Sequence, residues 1–343
     1  MRLRIRHIAH GMVAAALLAG GAGAVGPGWR WTSLPSGFSA PPVPVDNPMS
    51  GVKVALGRRL FYDRALSSNG SLACADCHQQ ERGFTDGLST HPGVSGEMGV
   101  RNVPGLANVA WRPALTWTDA NLLSLEQQAM VPMTGTKPVE MGLGGQEGLL
   151  AQRLDADPCY RRLFAMAFPG PEKGADVGKV TAALAAFQRT ILSYSTPYDR
   201  FAAGQSGALP PLAAKGLVQF KSAGCASCHG GRDFTDSKVH YVGTAAPSEA
   251  DGAAYGGKPL PPGFVPPPDS FRTPSLRNVA VTGPWLHDGR ADSVESAIRR
   301  HAATQLIGVD MPALLAFMDS LTDPVLLTAP HLARPPASCP VPA

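Results

Sequence analysis

The sequence predicts a mainly α-helical fold with long loops and little β-structure. Residues 176–193 repeat apolar side chains every three or four positions, which is one face of a helix, at Val177, Val180, Leu184, Phe187 and Ile191. No run of alternating apolar and polar residues is long enough for a substantial sheet. Glycine and proline account for 38 and 33 of the 343 residues, roughly twice their usual share, so much of the chain must lie in loops.

Further helices are predicted along the chain from the same periodicity. They span residues 51–62, 212–222, 292–303 and 310–321. Residues 243–270 are rich in glycine, proline and alanine and are predicted to form a loop. Hydrophobic residues make up 44% and charged residues 16% of the chain, which excludes a disordered or highly charged protein.

The first 24 residues resemble a secretory signal peptide. Three arginines (Arg2, Arg4 and Arg6) precede the short apolar run Ile8–Ala19, and Ala22–Ala24 has the small residues of a cleavage site. The alternative is an uncleaved anchor, but the run is short for a membrane span. We therefore predict a signal peptide over 1–24, an extended lead-in over 25–48, a periplasmic location, and no stable membrane span after cleavage.

The charge balance argues against nucleic-acid binding. The formal net charge is +4, and removal of the predicted signal peptide takes away three of the 30 basic residues. The remaining chain is nearly neutral, whereas nucleic-acid binding requires a basic face.

Four of the six cysteines lie in two identical frames. These are Cys74-Ala-Asp-Cys77-His78 and Cys225-Ala-Ser-Cys228-His229, and C-x-x-C-H is the attachment motif of c-type haem. The two thiols bind the haem covalently, and the adjacent histidine becomes the iron ligand. The pairs lie too far apart for a zinc ribbon, whose pairs are about 15–20 residues apart. No βαβ unit supports a thioredoxin-like motif.

Two haem motifs predict two cytochrome c-like haem domains. We place the N-terminal domain at 49–205, the C-terminal domain at 206–325 and a tail at 326–343, with the boundary in the GQSGALPP segment. Cys159 and Cys339 remain as a possible disulfide pair in an oxidising compartment, although sequence alone does not establish their proximity. The histidines that are candidates for a sixth iron ligand are His91, His240, His287, His301 and His331.

Several segments together resemble the bacterial di-haem cytochrome c peroxidase family, which includes MauG. In order they are LGRRLFYDRALSSNGSLACADCH, RNVPGLANVAW, LEQQAMVPMTGTKPVEMG, AALAAFQRTILSYSTPYDRF and FRTPSLRNVAVTGPWLHDG, and they cover nearly all of residues 50–325. The resemblance implies two haem c groups, with calcium between the domains. It also implies that hydrogen peroxide reacts at the N-terminal haem while the C-terminal haem relays electrons.

The resemblance assigns roles to four residues near the N-terminal haem. Trp117 matches the tryptophan between the haems, where an oxidisable indole can relay an electron; the alternative is an ordinary core residue. Gln128, Pro132 and Glu140 match the distal pocket, although the segment from Gln128 to Glu140 is two residues longer than in the family. A carboxylate there can move a proton between the two peroxide oxygens, with Gln128 orienting the peroxide; the alternative for Glu140 is a surface residue.

A loop histidine of the peroxidases is absent from its expected place. In those relatives it binds the N-terminal iron until reduction releases it. Here Val94 occupies its position by spacing, and His91 lies three residues earlier. We therefore predict a five-coordinate N-terminal haem, as in MauG, while an approach of His91 to the iron stays open as the alternative.

The distal ligand of the second haem is predicted to be His301. Counting from the His-Asp-Gly segment places it where the peroxidases have methionine and MauG has tyrosine. Val294, Ala297, Ile298 and His301 also lie on one helical face. Met311 is the rival, but it begins its own apolar stripe. A bis-histidine haem has a lower potential than a histidine–methionine haem.

Three further residues match the family's calcium site. They are Asn102, Thr282 and Pro284, which offer an amide oxygen and backbone carbonyls. Calcium prefers such hard oxygen ligands.

These features predict a MauG-like oxidase. The resemblance implies that peroxide generates a high-valent bis-Fe(IV) state, which oxidises an aromatic side chain on a partner protein. MbnH-type members of methanobactin operons are the most similar group, which implies an MbnP-like partner and conversion of a tryptophan to kynurenine. The alternative is a periplasmic cytochrome c peroxidase that takes electrons from a cytochrome c or cupredoxin. A non-catalytic electron carrier is disfavoured by the open haem and Glu140.

Overall fold

A computed structural model describes residues 29–31, 34–35, 38–119, 122–241, 270–300 and 306–339. The predicted signal peptide, most of the Gly/Pro/Ala-rich loop and His301 lie outside these ranges. In the described parts the fold is mainly helical, with one two-stranded antiparallel sheet in which Val239 pairs with Arg272. The predicted fold class is confirmed. Among the described residues, no helix is long and apolar enough to cross a membrane.

The described helices are numbered here in chain order. Those that precede the second haem motif are α1 (Gly51–Phe61), α2 (Cys74–Cys77), α3 (Leu125–Thr134), α4 (Glu147–Ala156), α5 (Pro158–Ala167), α6 (Val177–Gln188), α7 (Pro197–Ala202) and α8 (Pro211–Ser222). Those that follow it are α9 (Val294–Arg300), α10 (Met311–Asp319) and α11 (Pro324–Thr328). The strands are β1 (Val239–Tyr241) and β2 (Ser270–Arg272).

The helices predicted at 51–62, 212–222 and 310–321 are confirmed, with small differences at their ends. The helix predicted at 176–193 is confirmed over Val177–Gln188, so Ile191 lies beyond its end. The helix predicted at 292–303 is confirmed over Val294–Arg300. The prediction missed α3, whose interior contains Pro132, a residue that normally argues against a helix. It also missed α5, although Asp157 caps that helix and Pro158 starts it, which is a recognisable start signal.

The same helix crossing occurs in both halves of the chain. Helix α1 crosses α6 at Gly57, where an added Cβ would lie 1.9 Å from the carbonyl oxygen of Ala183. Helix α8 crosses α10 at Gly216, where a Cβ would lie 1.9 Å from the carbonyl oxygen of Ala313. The backbones can approach this closely only because glycine has no side chain. In each crossing, one helix precedes a haem motif in the chain and the other helix follows it.

Two apolar clusters surround these crossings. The larger contains the α1–α6 crossing and includes Phe61, Phe84 and Phe187, all at most 1% exposed. The smaller contains the α8–α10 crossing and is built around Phe234 and Phe317. Because each cluster includes a haem motif and its crossing, each forms one wall of a haem-binding region.

The C-terminal residues return to the N-terminal half. Leu326 and Leu332 are buried in the larger cluster. Arg58 of α1 donates to the carbonyl of Ala333 at 2.6 Å. Cys339 forms a disulfide with Cys159 of α5, with the two Cα atoms 5.6 Å apart, which is within the usual range for such a bond. The disulfide thus attaches the last described residue to α5.

Substitution of Gly57 by alanine should destabilise the protein. The added methyl would overlap the Ala183 carbonyl, and such overpacking costs about 1–3 kcal/mol of unfolding free energy. Gly148 in α4 has no atom within 4 Å of the place where a Cβ would be added, so it provides a matched control. Gly148→Ala should stabilise by up to about 1 kcal/mol through helix propensity. Denaturant unfolding of the haem-containing protein, followed by circular dichroism, measures both; equal effects would contradict the close crossing.

Candidate active site

The first haem motif is a single helical turn that presents its histidine. The backbone nitrogen of His78 donates to the Cys74 carbonyl at 2.9 Å, and the thiols of Cys74 and Cys77 are free. The His78 ring Nδ1 contacts the carbonyl oxygen of Phe84 at 2.8 Å, so Nε2 is the nitrogen available to iron. Burial lowers the pKa of His78, which favours the neutral imidazole that binds metals.

The second motif repeats this arrangement. The backbone nitrogen of His229 donates to the Cys225 carbonyl at 2.9 Å, and its ring Nδ1 lies 3.3 Å from the carbonyl oxygen of Phe234. Phe84 and Phe234 both have positive φ angles, of 66° and 51°. This conformation is uncommon for phenylalanine, and here it accompanies the carbonyl that holds the histidine ring in each motif.

A buried arginine indicates that the cofactor is anionic. The side chain of Arg272 is buried, with the whole residue 1% exposed, and it donates to the carbonyls of Thr116 at 2.7 Å and Thr273 at 3.3 Å. It has no carboxylate partner among the described residues, and burial lowers its pKa to about 9. Buried charges are normally paired. Haem propionates would supply the missing negative charge, so the residues present fit haem. The sequence analysis missed Arg272, because nothing in the polar segment around it marks this arginine as buried.

The predicted distal residues lie together around α3. Gln128 and Pro132 are one turn apart on this helix. The backbone nitrogen of Met141 donates to the Pro132 carbonyl at 2.9 Å, which brings the preceding residue, Glu140, back to the helix. A cis peptide bond joins Lys137 to Pro138 in the intervening loop. The longer segment between Gln128 and Glu140 is therefore accommodated as a loop that returns to α3.

Glu140 occupies a poorly solvated position near the first haem motif. Burial raises the pKa of its carboxyl above the ordinary value of 4.5, while the nearby charge of His91 lowers it. The pKa of the Cys77 thiol is raised by burial and then by the Glu140 charge, which locates the carboxylate close to the haem-attachment site. A carboxyl group in this position could accept and donate a proton during a peroxide reaction.

The loop after the first motif is fixed to Glu140 through its backbone. The nitrogen of Val94 donates to the Glu140 carbonyl at 2.8 Å, and the Val94 carbonyl accepts from Asn69 at 3.1 Å. His91 instead pairs through Nδ1 with Asp86 at 2.8 Å. The Asp86 side chain is 1% exposed and the His91 side chain 17% exposed. The aliphatic side chain of Val94 offers no iron ligand, whereas His91 is held by a carboxylate.

Trp117 lies where the two halves meet. Its indole nitrogen donates to the carbonyl of Asn102 in the N-terminal half at 2.8 Å. Its own carbonyl accepts from the backbone nitrogen of Arg272 in β2 at 2.8 Å. The tryptophan is thus hydrogen-bonded to both halves, which is the placement that the predicted electron relay requires.

The predicted calcium residues come from both sides of the same junction. Asn102 is 6% exposed, and its amide nitrogen donates to the Leu88 carbonyl at 2.9 Å. Thr282 packs against Gly83, where an added Cβ would lie 2.9 Å from the threonine methyl. Pro284 follows a cis peptide bond. Calcium binding by these residues stays a prediction.

Of the two candidate distal ligands of the second haem, the structure describes only Met311. His301 lies outside the described residues. Met311 is 8% exposed and belongs to the smaller apolar cluster at the start of α10, as expected for a core residue.

One further group of metal-ligand side chains lies beside the second motif. Ligand atoms of Cys228, Asp236 and His240 lie within 4.8 Å of one another. His240 contacts Asp236 at 2.7 Å. Because Cys228 is predicted to attach haem, this group would not provide three free metal ligands.

Comparison with known proteins identifies the family of this chain. Residues 52–207 match the family model for di-haem cytochrome c peroxidase. The methylamine utilization protein MauG of Methylorubrum extorquens is 36% identical over 85% of this chain and 84% of its own. The chain belongs to the di-haem cytochrome c peroxidase/MauG family. It is therefore a di-haem oxidoreductase.

Other members of this family include peroxidases and one related copper-associated protein. The cytochrome c551 peroxidase of Nitrosomonas europaea is 29% identical, over 82% of this chain and 83% of its own. A crystal structure of a MauG-like protein associated with microbial copper homeostasis superposes on this chain with a TM-score of 0.79. The two sequences are 34% identical, and the match covers 90% of this chain and 99% of that chain. The family resemblance inferred from the sequence is confirmed.

Glu140 should produce a characteristic pH dependence. As a base it must be ionised, so the peroxide reaction should slow as pH falls through its pKa, at higher pH than for an ordinary glutamate. Glu140→Gln should slow the reaction by roughly 10²-fold or more and remove this pH step. Stopped-flow absorbance measures the rate. Exposed Glu147 is the control, and an equal effect of Glu147→Gln would contradict the role.

Calcium should bind at the junction of the halves. We expect one calcium ion per chain after dialysis, measured by elemental mass spectrometry. Asn102→Ala should lose it because the amide oxygen is removed. Thr282→Ser should retain it, since Thr282 is predicted to contribute only its carbonyl. This ligand set would be refuted if both Asn102→Ala and Thr282→Ser retained calcium, or if both lost it.

Proposed function

We propose that this protein is a MauG-like oxidase that uses hydrogen peroxide to oxidise an aromatic residue of a partner protein. The observation that carries the proposal is the position of Val94, which pairs with Glu140 through its backbone where the peroxidases have a histidine ligand. With valine at this position, no side chain there would bind the iron of an N-terminal haem, so peroxide could reach it before any reduction.

The proposed roles of the residues follow from their positions. The bound haems supply the redox chemistry. Gln128 orients peroxide, and Pro132 restricts the space beside it. The Glu140 carboxylate would take the proton from one oxygen of the peroxide and return it to the other. Its low solvation strengthens these interactions because little water competes with them.

Long-range oxidation requires a connection between the halves. Trp117 is proposed as that relay, since it is hydrogen-bonded to both. His301 is proposed as the second haem's distal ligand. A bis-histidine haem has a low potential, which favours storage of an oxidising equivalent rather than acceptance of electrons from a donor protein.

The partner is proposed to be a periplasmic protein, and its oxidised residue a tryptophan that becomes kynurenine. The similarity to a MauG-like protein of copper homeostasis supports an MbnP-like partner. The disulfide between Cys159 and Cys339 supports an oxidising compartment. The predicted calcium would hold the two halves together at the Trp117 junction.

The second candidate function is a cytochrome c peroxidase. The similarity to the cytochrome c551 peroxidase of Nitrosomonas europaea favours it. In that case a cytochrome c or cupredoxin would deliver electrons, and His91, whose Nδ1 is already held by Asp86, would be the releasable ligand.

Ligand binding to the diferric protein distinguishes the MauG-like oxidase from the cytochrome c peroxidase. We expect the diferric protein to bind cyanide, and to react with one equivalent of peroxide, without prior reduction. Optical and electron paramagnetic resonance (EPR) spectra measure both reactions. Turnover with reduced cytochrome c should be slow. A purely low-spin spectrum that becomes reactive only after one-electron reduction, together with rapid cytochrome c oxidation, would instead establish the peroxidase.

Replacement of His301 should expose the second iron. His301→Ala should add a second high-spin EPR signal, because the low-spin state requires a sixth ligand. Peroxide consumption should continue at the N-terminal haem, while oxidation of the partner should fail. Met311→Leu, a core-conserving change, is the control. A low-spin signal that survives in His301→Ala but is lost in Met311→Leu would identify methionine as the ligand.

A further inference from the structure

A buried tyrosine beside the second haem motif carries a hydrogen bond to a carboxylate. Tyr194 is 8% exposed, and its hydroxyl lies 3.2 Å from Oδ1 and 3.4 Å from Oδ2 of Asp233. Burial, and then the charge of Asp233, raise the pKa of Tyr194, so the phenol is protonated at rest. Such a phenol has a proton acceptor in place if it loses an electron.

The carboxylate connects this phenol to the proposed iron ligand. Asp233 is bonded through one peptide link to Phe234, whose carbonyl oxygen lies 3.3 Å from the His229 ring. A continuous path therefore runs from the His229 imidazole through Phe234 and Asp233 to the Tyr194 hydroxyl. Asn108 fixes the path by donating to Asp233 at 2.7 Å and to the Ser193 carbonyl at 3.1 Å.

On its other side, Tyr194 contacts an aromatic group that reaches solvent. The rings of Tyr194 and Trp111 lie 5.9 Å apart at their centroids, in an edge-to-face arrangement. Trp111 is half-buried. The guanidinium of Arg232 lies 5.6 Å from the Trp111 ring and 5.2 Å from the Tyr194 ring, with its side chain 38% exposed. The pair thus extends from the second motif to the surface.

Neither the first motif nor the nearest other tyrosine repeats this arrangement. Gly83 occupies the place before Phe84 that Asp233 occupies before Phe234, so no carboxylate is present there. Tyr198 packs against Phe234 at 5.0 Å, yet its hydroxyl has no hydrogen-bond partner among the described residues. In the N-terminal half, Tyr160 also donates to a carboxylate, that of Asp63, at 2.5 Å. Among the described residues, the specific feature of the second site is therefore a phenol bonded to a carboxylate that directly precedes the phenylalanine holding the motif histidine.

We propose that Tyr194 and Trp111 form a redox relay that carries an oxidising equivalent from the second haem site to the surface. Tyr194 gives one electron to that site, which holds an oxidising equivalent from hydrogen peroxide, and its hydroxyl proton passes to Asp233. The neutral tyrosyl radical then takes one electron from Trp111 and recovers the proton from Asp233. An aromatic side chain of the partner finally reduces the oxidised Trp111.

The relay rests on the proposed oxidase function and specifies its exit point. Reduction of one hydrogen peroxide to water takes two electrons, so the relay transfers one electron twice for each peroxide consumed. The partner's aromatic residue would dock near Trp111 and the positively charged Arg232, which favours acidic groups around it.

The test is freeze-quench EPR of the diferric holoenzyme after peroxide, without a partner. We expect a tyrosyl signal that narrows when the chain carries ring-deuterated tyrosine. Tyr194→Phe should lose this signal, whereas Tyr198→Phe, the matched control, should retain it. After peroxide treatment, peptide mass spectrometry should show added oxygen on Trp111 in the parent protein and in Tyr198→Phe. In Tyr194→Phe, the oxygenation of Trp111 should not exceed that of the untreated protein.

The outcomes separate this inference from the proposed function. Peroxide consumption that is intact in all three proteins, with unchanged radical and Trp111 oxygenation in Tyr194→Phe, would overturn the relay alone. If the parent consumes no peroxide, both proposals fail. If Tyr194→Phe does not retain haem, the deuterated parent decides: a signal that does not narrow is not a tyrosyl radical and overturns the relay.

Discussion

Direct contact between two helix backbones organises each half of this protein. At Gly57 and at Gly216 the helix that precedes a haem motif lies against a carbonyl of a helix that follows the motif, with no side chain between them. This contact brings together the segments on either side of each haem motif. A phenylalanine one turn further along the second helix of each pair, Phe187 or Phe317, is fully buried beside the crossing. Each motif loop can therefore be long and irregular, because the helices that bracket it are fixed.

The two halves share their proximal geometry and differ elsewhere. Each motif histidine is oriented by a phenylalanine carbonyl, so both irons would receive the same kind of ligand. Beyond this ring the surroundings diverge. The first site has Glu140 at the return to α3, and the second has the Tyr194–Asp233 pair. These groups carry the proposed proton transfer at the first site and the proposed electron transfer at the second.

The junction between the halves contains both the proposed electron relay, Trp117, and a buried arginine. Trp117 bonds to Asn102 on one side and to the backbone of Arg272 on the other. The buried guanidinium of Arg272 has only carbonyl partners among the described residues, so its charge is balanced when an anionic group binds nearby. Haem binding would then stabilise the junction as well as the two clusters. The relative placement of the halves thus depends on the cofactors as well as on the chain.

The sequence by itself predicted the haem-attachment residues, and it determined the family and the helices of both crossings, because these depend on local spacing. Cys74, Cys77 and His78 must be neighbours in the chain to bind one haem, and the stripe of α6 follows from helical periodicity. Tertiary structure decided what depends on distant segments. It brought Glu140 back to Pro132 despite a longer loop, paired Cys159 with Cys339, and placed Asp233 beside Tyr194. No local pattern encodes these contacts, since each joins side chains or backbone groups whose separation is set by packing of the whole chain.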